Sequence, residues 1–476
     1  MEAQSLSTKR AEVEFHNFAS LGEPERALKV YAEENQRRGN LIQQFAEFIG
    51  PMSPFLEIGS SAGHSSYMMA NEFGADGFAL DISADALRHG IFLQDAWKLD
   101  RAPVRIAGDA ANLPFRDGSL RMVMAYQMLS QFMDLDKVFR EVTRVLAPGG
   151  VFLFAEEPLK RMLTLRLYRV GYYETMKPWE RRLHDWGLLG YLVRDVIGAN
   201  QEESFGIRQN HTMGLRDWHA LIQRHFADQQ YRIFVRAHGW GERLMHRAGR
   251  KIDRYGSDWV PARLLGGTLA AVCRKAGDPL LTPPDMVRFE TLLRCPDCHS
   301  DLHRDASDTL GCRKCGYQSP NEGAVYNLLP SVEKRELYPG DRDDVIDFCL
   351  PSHEARLGEG WYELEGVFGN KYRWIGPKAT AVLKRVHNVP HRIRIRGHAN
   401  ERAFEQGAVR LEVRANGERV GQWTLDRTGL FILEADVADA AEYQVEVLAA
   451  PTWQAPPDRR VFTVSLSNLR LVPREN

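Results

Sequence analysis

Five short apolar runs alternate with stretches of helical periodicity between residues 54 and 156, which limits this part of the chain to a parallel sheet covered by helices. The runs are Pro54 to Gly59, Gly77 to Ile82, Val104 to Ala107, Arg121 to Met128 and Val151 to Glu156. Their apolar character suits strands buried on both faces. The segments between them, Ser65 to Phe73 and the strongly periodic Leu135 to Leu146 included, suit crossover helices. An amphipathic helix, ALKVYAEENQRRGNLIQQFAEFIG, precedes the first strand and stops at Gly50-Pro51. The expected fold class is α/β, a doubly wound Rossmann-like domain over residues 1–277, closed by the proline signals at Pro279, Pro283 and Pro284.

The chain has 476 residues, enough for two to four domains at roughly 100–200 residues each. A compact cysteine-bearing segment follows at 286–331. From 345 to 476 the alternating runs RIRIRG, VRLEVRA, GQWTLD, YQVEVLA and RVFTVSLSNLRLV, separated by turn residues, read as an antiparallel β-sandwich. A hydrophobic content of 44% excludes a disordered chain, and no apolar run approaches the roughly 20 residues of a membrane-spanning helix. With 62 Lys+Arg against 63 Asp+Glu, the overall balance does not point to nucleic acid as a partner. The charged N-terminus lacks the apolar stretch of a secretory signal, so cytoplasmic residence is expected.

The first strand runs into Glu57-Ile58-Gly59-Ser60-Ser61-Ala62-Gly63-His64. A dinucleotide fingerprint needs glycine at the positions held by Gly59, Ser61 and His64, and two of the three fail. Glu57-x-Gly59-x-Ser61-x-Gly63 instead resembles the first motif of class I S-adenosylmethionine-dependent methyltransferases, with Ser61 in place of the middle glycine. The resemblance extends over about residues 30–157. It implies that Glu57 and the backbone of Gly59, Ser61 and Gly63 hold the methionine part of S-adenosylmethionine. It also implies that Asp81, which closes the second strand, takes the ribose hydroxyls, and that Asp109 with Ala110, in Gly108-Asp109-Ala110, takes the adenine. Pro148-Gly149-Gly150 matches the turn before the family's fifth strand, whereas Leu120-Arg121 stands where members usually show Phe-Asp. An α/β domain with acidic turns and no cofactor is the competing reading.

Methyl transfer from a sulfonium is an in-line displacement, so acceptor-side groups belong just after the fourth and fifth strands. Tyr126, Gln127 and Ser130 fill the first place, with Tyr126 taken as a cofactor contact; Glu156 and Glu157 fill the second. The candidate proton acceptors are His211, whose imidazole titrates near neutrality, Glu157 and His64. Each also has a plain structural reading as a capping acid or a hydrogen-bonded loop histidine. Residues 160–260 exceed a minimal fold and are expected to recognise the acceptor. They carry 18 Lys+Arg against 11 Asp+Glu, a field suited to an anionic acceptor.

Cys295-Pro-Asp-Cys298 and Cys312-Arg-Lys-Cys315 form C-x2-C-x13-C-x2-C, the spacing of a closed tetrahedral site. Structural Zn2+ is the expected metal, with a rubredoxin-type iron as its rival. Leu292 to Pro296 and Gly323 to Pro330 resemble small zinc-ribbon proteins that accompany methyltransferases. Cys273 and Cys349 stand apart as expected buried hydrophobes. In the tail, Gly360-Trp361-Tyr362-Glu363-x-Glu365 and Tyr372-Arg373-Trp374-Ile375-Gly376 resemble a β-sandwich module of glycan-assembly enzymes. Trp361 and Trp374 there read either as core or as sugar-stacking rings. The combined expectation is a methyltransferase acting on a saccharide or glycan precursor, with RNA methylation and a non-catalytic glycan-binding scaffold as alternatives.

Overall fold

A computed structural model describes residues 24–132, 134–159, 213–234, 267–278 and 286–474, except 341, 349, 368, 369, 387, 426 and 427, together with positions 9, 10, 13, 178, 179 and 182 and the short strands 168–170, 189–191 and 250–252. His211, most of 160–260, Cys349 and the prolines at 279, 283 and 284 lie outside the described residues. The chain divides into two compact units, one ending at Ser331 and the other beginning at Val332.

The first unit opens with helix α1 (Pro24–Gln44). It continues through β1 (Phe55–Ile58), α2 (His64–Glu72), β2 (Gly77–Asp81), α3 (Ala84–Trp97), β3 (Val104–Ala107), β4 (Leu120–Tyr126), α4 (Leu135–Val145), β5 (Leu146–Leu159), α5 (Leu215–His225), β6 (Asp228–Phe234) and β7 (Gly267–Arg274). β8 (Val325–Asn327) comes from the cysteine segment. The sheet runs β8-β3-β2-β1-β4-β5-β7-β6 and ends on the short strand Arg250–Ile252. β1 to β5 are parallel to one another, and β7 is antiparallel to both β5 and β6. Strand order reverses between β1 and β4, which leaves a crevice beyond the carboxyl ends of the strands.

Alternation along the strands explains why both faces are apolar. Leu56, Ile58, Val123, Ala125, Phe152 and Phe154 serve one core. Phe55, Met122, Met124, Tyr126 and Leu153 serve the other, against α1 residues Leu41 and Ile42. Burying each such side chain stabilises the fold by about 1.5–3 kcal/mol. α4 shows the helical counterpart: Leu135, Val138, Phe139, Val142 and Val145 are buried, and Asp134 caps its start by accepting from Lys137 N–H. The fourth strand stops at Tyr126, short of the expected Met128, because Gln127 adopts a positive φ of 55°.

The cysteine segment shares the first of these cores through Leu292, Leu293, Leu302, Leu310 and Leu328. β8 pairs in parallel with β3, placing Val325 opposite Arg105 and Asn327 opposite Ala107.

The second unit is the expected antiparallel sandwich. A six-stranded sheet contains Val345–Asp347, Trp361–Val367, Asn370–Ile375, His391–Ala399, Gly429–Asp436 and Ser465–Pro473; a four-stranded sheet contains Lys378–Lys384, Val409–Ala415, Glu418–Leu425 and Glu442–Ala450. Ile393, Ile395, Leu469 and Leu471 of the first meet Leu383, Leu411, Val413 and Val447 of the second in one core. Trp374 is half-buried and packs edge to face with Trp453, while Trp361 donates its indole N–H to Thr380 O. No helix among the described residues is long and apolar enough to cross a membrane.

Candidate active site

The loop after β1 is built by backbone geometry. Gly59 (φ +67°), Ser61 (φ +51°) and Gly63 (φ +76°) adopt left-handed conformations, and Gly63 caps the start of α2. Ser60 N–H donates to Leu80 O (3.0 Å) and Gly63 N–H to Ser60 O (2.7 Å), which folds the loop over the end of β2. Ser60 Oγ is buried and has no hydrogen-bond partner. A buried polar atom left so costs about 1–3 kcal/mol, a debt that a bound ligand would cancel.

The three expected carboxylates are buried at the strand ends. Asp81 Oδ2 accepts from Ser61 N–H (2.7 Å) and Oδ1 from Ser83 N–H (2.9 Å). Each oxygen keeps a lone pair, the requirement for receiving two vicinal hydroxyls. Asp109 Oδ1 accepts from Ala111 N–H (2.8 Å), and Oδ2 accepts from Lys9 Nζ (2.9 Å); Ala110 beside it is buried. Glu57 takes a hydrogen bond of 2.5 Å from Ser66 Oγ, tying β1 to α2, and burial pushes its carboxyl up to about 7. It lies on the α1 side of the sheet, in register with Met124. Loop backbone, Asp81 and Asp109 therefore fit an adenosyl sulfonium, with Glu57 supporting the loop through Ser66.

On that same side a charged cluster links four elements. Arg38 Nη2 donates to Glu156 Oε2 (3.0 Å) and lies 3.3 Å from Glu34 Oε2. Its Nη1 donates to Ser65 Oγ (2.9 Å), and its guanidinium sits 4.4 Å from the centre of the Tyr126 ring. Tyr126 is thus buried beneath Arg38, with its hydroxyl 3.9 Å from Met124 Sδ. His64 Nε2 lies 2.8 Å from Glu34 Oε2, and its ring stacks on Tyr31 at 4.3 Å. Glu156 is itself left-handed (φ +65°), as is Gln127 at the end of the adjacent strand. Non-glycine residues in this region cost about 1–2 kcal/mol each, and such strain concentrates at functional sites.

Of the proposed proton acceptors, His64 joins this cluster. Glu157 is turned to the short helix Leu129–Gln131, accepting from Leu129 N–H (2.9 Å) and Ser130 N–H (3.0 Å). Burial pushes its carboxyl up to about 7.

Residues 56–154 match the family described as a methyltransferase domain. This stretch is a class I S-adenosylmethionine-dependent methyltransferase domain. Within it and its flanks, the chain is 29% identical over 95 residues to norajmaline N-methyltransferase of Rauvolfia serpentina, covering 20% of this chain and 32% of that protein. It is 32% identical over 113 residues to malonyl-[acyl-carrier protein] O-methyltransferase of Geobacter sulfurreducens, covering 23% and 40%. Less than half of either relative's length is matched. Among solved structures, phosphoethanolamine N-methyltransferase 2 of Haemonchus contortus in complex with S-adenosyl-L-methionine aligns at 18% identity and a TM-score of 0.31, covering 51% of this chain and 52% of that one.

The four-cysteine group adjoins the loop that carries Asp109. The sulfurs of Cys295, Cys298, Cys312 and Cys315 all lie within 4.8 Å of one another, with 3.5 Å between Cys295 and Cys315 and between Cys298 and Cys312. A tetrahedral site with Zn–S bonds of about 2.3 Å needs sulfur separations of roughly 3.8 Å, so the four fit one ion. Burial pushes the Cys295 thiol up, opposed by the backbone N–H groups of Cys298 and Asp297 that point at its sulfur, and the backbone N–H of Tyr317 points at the Cys315 sulfur. Asn112 Nδ2 donates to Pro296 O (3.4 Å) and Arg294 Nε to Leu113 O (3.3 Å), so the loop that carries Asp109 is tied directly to the ribbon.

Sequence reasoning missed Glu34 and Arg38. The available signal was a pair of opposite charges four residues apart on a helix, one to two turns before the apolar positions Leu41, Ile42 and Phe45 and on the same buried face.

Proposed function

We propose that this chain transfers a methyl group from S-adenosylmethionine to a saccharide or glycan precursor bound beyond the carboxyl ends of β4 and β5. The observation that carries the methyl-transfer reading is Asp81, a buried carboxylate at the end of β2 with one lone pair free on each oxygen, beside a loop whose Ser60 hydroxyl has no partner. Glu57, Gly59, Ser61, Gly63, Asp109, Ala110 and Tyr126 complete the proposed cofactor site. Two features support a glycan acceptor. Residues 160–260 carry seven more positive than negative charges, 18 against 11, which suits a phosphorylated or nucleotide-linked sugar. The sandwich resembles modules of glycan-assembly enzymes, and its half-buried Trp374 and Trp453 are neighbours packed edge to face.

Zn2+ is the proposed occupant of the four-cysteine group. Four protein ligands leave no open position for water, so its role is to hold the ribbon and not to take part in the transfer.

Incubating the protein with methyl-labelled S-adenosylmethionine and either a nucleotide-sugar extract or total RNA tests the acceptor. Label in the sugar fraction is expected. Label in RNA alone would replace the glycan reading, and label in neither, with no cofactor binding, would leave a scaffold.

A further inference from the structure

The reversal of strand order sets the crevice between the carboxyl ends of β1 and β4, and one side chain bridges them. Met128 stands just past the end of β4 at Tyr126, and Gly59 just past the end of β1 at Ile58. A Cβ added at Gly59 would lie 2.5 Å from Met128 Cε and 2.9 Å from its Sδ, so the methionine rests directly on the first glycine of the cofactor loop. Gly59 is thus required twice, for its φ of +67° and for the side chain laid across it. Met128 is only partly buried and keeps some exposed surface.

Glu157 fixes the segment that carries Met128. Leu269 of β7 pairs with Glu157 and Ala271 with Phe154, so Ala155 and Glu156 together oppose Ala270 in a β-bulge, where Glu156 has a φ of +65°. Phe154 lies in the first core and Ala155 in the second, and strict alternation would send Glu157 to the side of Ala155. The bulge turns it the other way, against Leu129 of the first core. There Oε1 accepts from Leu129 N–H (2.9 Å) and Oε2 from Ser130 N–H (3.0 Å), and the Met128 N–H points at the same carboxylate. Three consecutive N–H groups converge on an acid that is 0% exposed, while Gln127 N–H donates to Ala155 O (3.1 Å).

We propose that Glu157 is a positioning residue: through the backbone of 128–130 it holds Met128 on Gly59, and Met128 forms the floor under the methionine part of S-adenosylmethionine. This inference rests on the methyl-transfer reading above and deepens it. A wholly buried carboxylate with both oxygens engaged by N–H groups holds a wall of the crevice and does not receive the acceptor's proton. The unbranched thioether of Met128 can fit itself to an aliphatic chain laid over it. Its contact with Gly59 lies at the junction of β1 and β4. Asp81 and Asp109, assigned to ribose and adenine, stand at the end of β2 and beyond β3. The methionine end and the nucleoside end of the cofactor therefore depend on different residues and respond separately to substitution.

The test is calorimetric titration of the full-length protein with S-adenosylhomocysteine and, separately, with adenosine, which lacks the methionine part. Titrations are run at about pH 8, above the value of about 7 to which burial lifts the Glu157 carboxyl. Glu157→Gln and Met128→Ala are each expected to weaken S-adenosylhomocysteine about fivefold or more and to leave adenosine within about twofold of wild type. In the Met128→Ala background, Glu157→Gln is expected to add less than about twofold, because the acid acts through the methionine. A Glu157→Gln affinity for S-adenosylhomocysteine within about twofold of wild type, an equal loss for adenosine, or fully additive losses overturns the proposal. If wild type binds neither ligand, the functional reading fails by itself. Hydrogen exchange at the Leu129 and Ser130 amides, expected to be protected in wild type and faster in Glu157→Gln, still decides whether the acid holds the segment, and unprotected amides in wild type overturn it.

Discussion

Leu328 N–H donates to Ala107 O across 2.8 Å, so the strand leaving the four-cysteine segment is bonded to the residue just before Gly108 and Asp109. The opposite end of that segment reaches the same loop: Phe115 and Leu293 form a β-bridge, and Arg116 N–H donates to Leu292 O (2.8 Å). The loop that carries Asp109 is therefore gripped from two directions by the four-cysteine segment.

Metal removal is expected to loosen that grip. Stripping the protein with a strong chelator, or substituting Cys298→Ser, should lower the unfolding temperature and weaken S-adenosylmethionine binding about tenfold, the equivalent of roughly 1.4 kcal/mol. Calorimetric titration before and after restoring Zn2+ checks this. Unchanged affinity in metal-free protein would show that the loop stands without the ribbon.

Gly90 of α3 packs against the cofactor loop. A Cβ there would lie 2.4 Å from Ala62 O, a backbone atom that cannot step aside without moving the loop. Gly90→Ala is expected to cost about 1–3 kcal/mol of stability by overpacking and to weaken cofactor binding at the same time. Urea denaturation and calorimetry on one preparation read both effects.

Glu57 and Glu157 give the fold a pH dependence of defined sign. Burial lifts each carboxyl from an ordinary value of 4.5 to about 7. Between those values the native state holds protons that the unfolded chain has released, so stability is fully present below about 4.5, falls as pH rises towards 7 and is flat above it. Each group contributes a slope of about 1.4 kcal/mol per pH unit at most. Denaturant titrations at pH 5, 6, 7 and 8 should show the decline, and Glu57→Gln should make it shallower. A wild-type curve that rises across this window would contradict the buried placement of both acids.

What was legible in the sequence follows from how local each signal is. The five strands, the glycine turn and the acids at the strand ends are written in contiguous residues whose spacing the fold cannot hide. The four cysteines announce their geometry through two fixed intervals. β8 was not legible, because Val325 to Asn327 pairs with a strand more than 200 residues earlier and its three residues carry no address. The union of the ribbon core with the methyltransferase core was hidden in the same way: Leu292, Leu293 and Leu328 look like the interior of a small module until their partners Phe115 and Ala107 are known. Arg38 was hidden for an electrostatic reason. A charged residue on an amphipathic helix ordinarily faces water, and the partners that make its burial tolerable include Glu156, Tyr126 and Ser65, which lie far from it in sequence.

The most direct test of the whole reading is calorimetric titration of the full-length protein with S-adenosylmethionine, wild type against Asp81→Asn. The expected result is saturable one-to-one binding by wild type and a loss of about tenfold or more in the variant, from hydrogen bonds to a charged acceptor worth about 1.5–3 kcal/mol, with both proteins folded by circular dichroism. An absence of binding by folded wild type, or equal affinity in the two proteins, would contradict it.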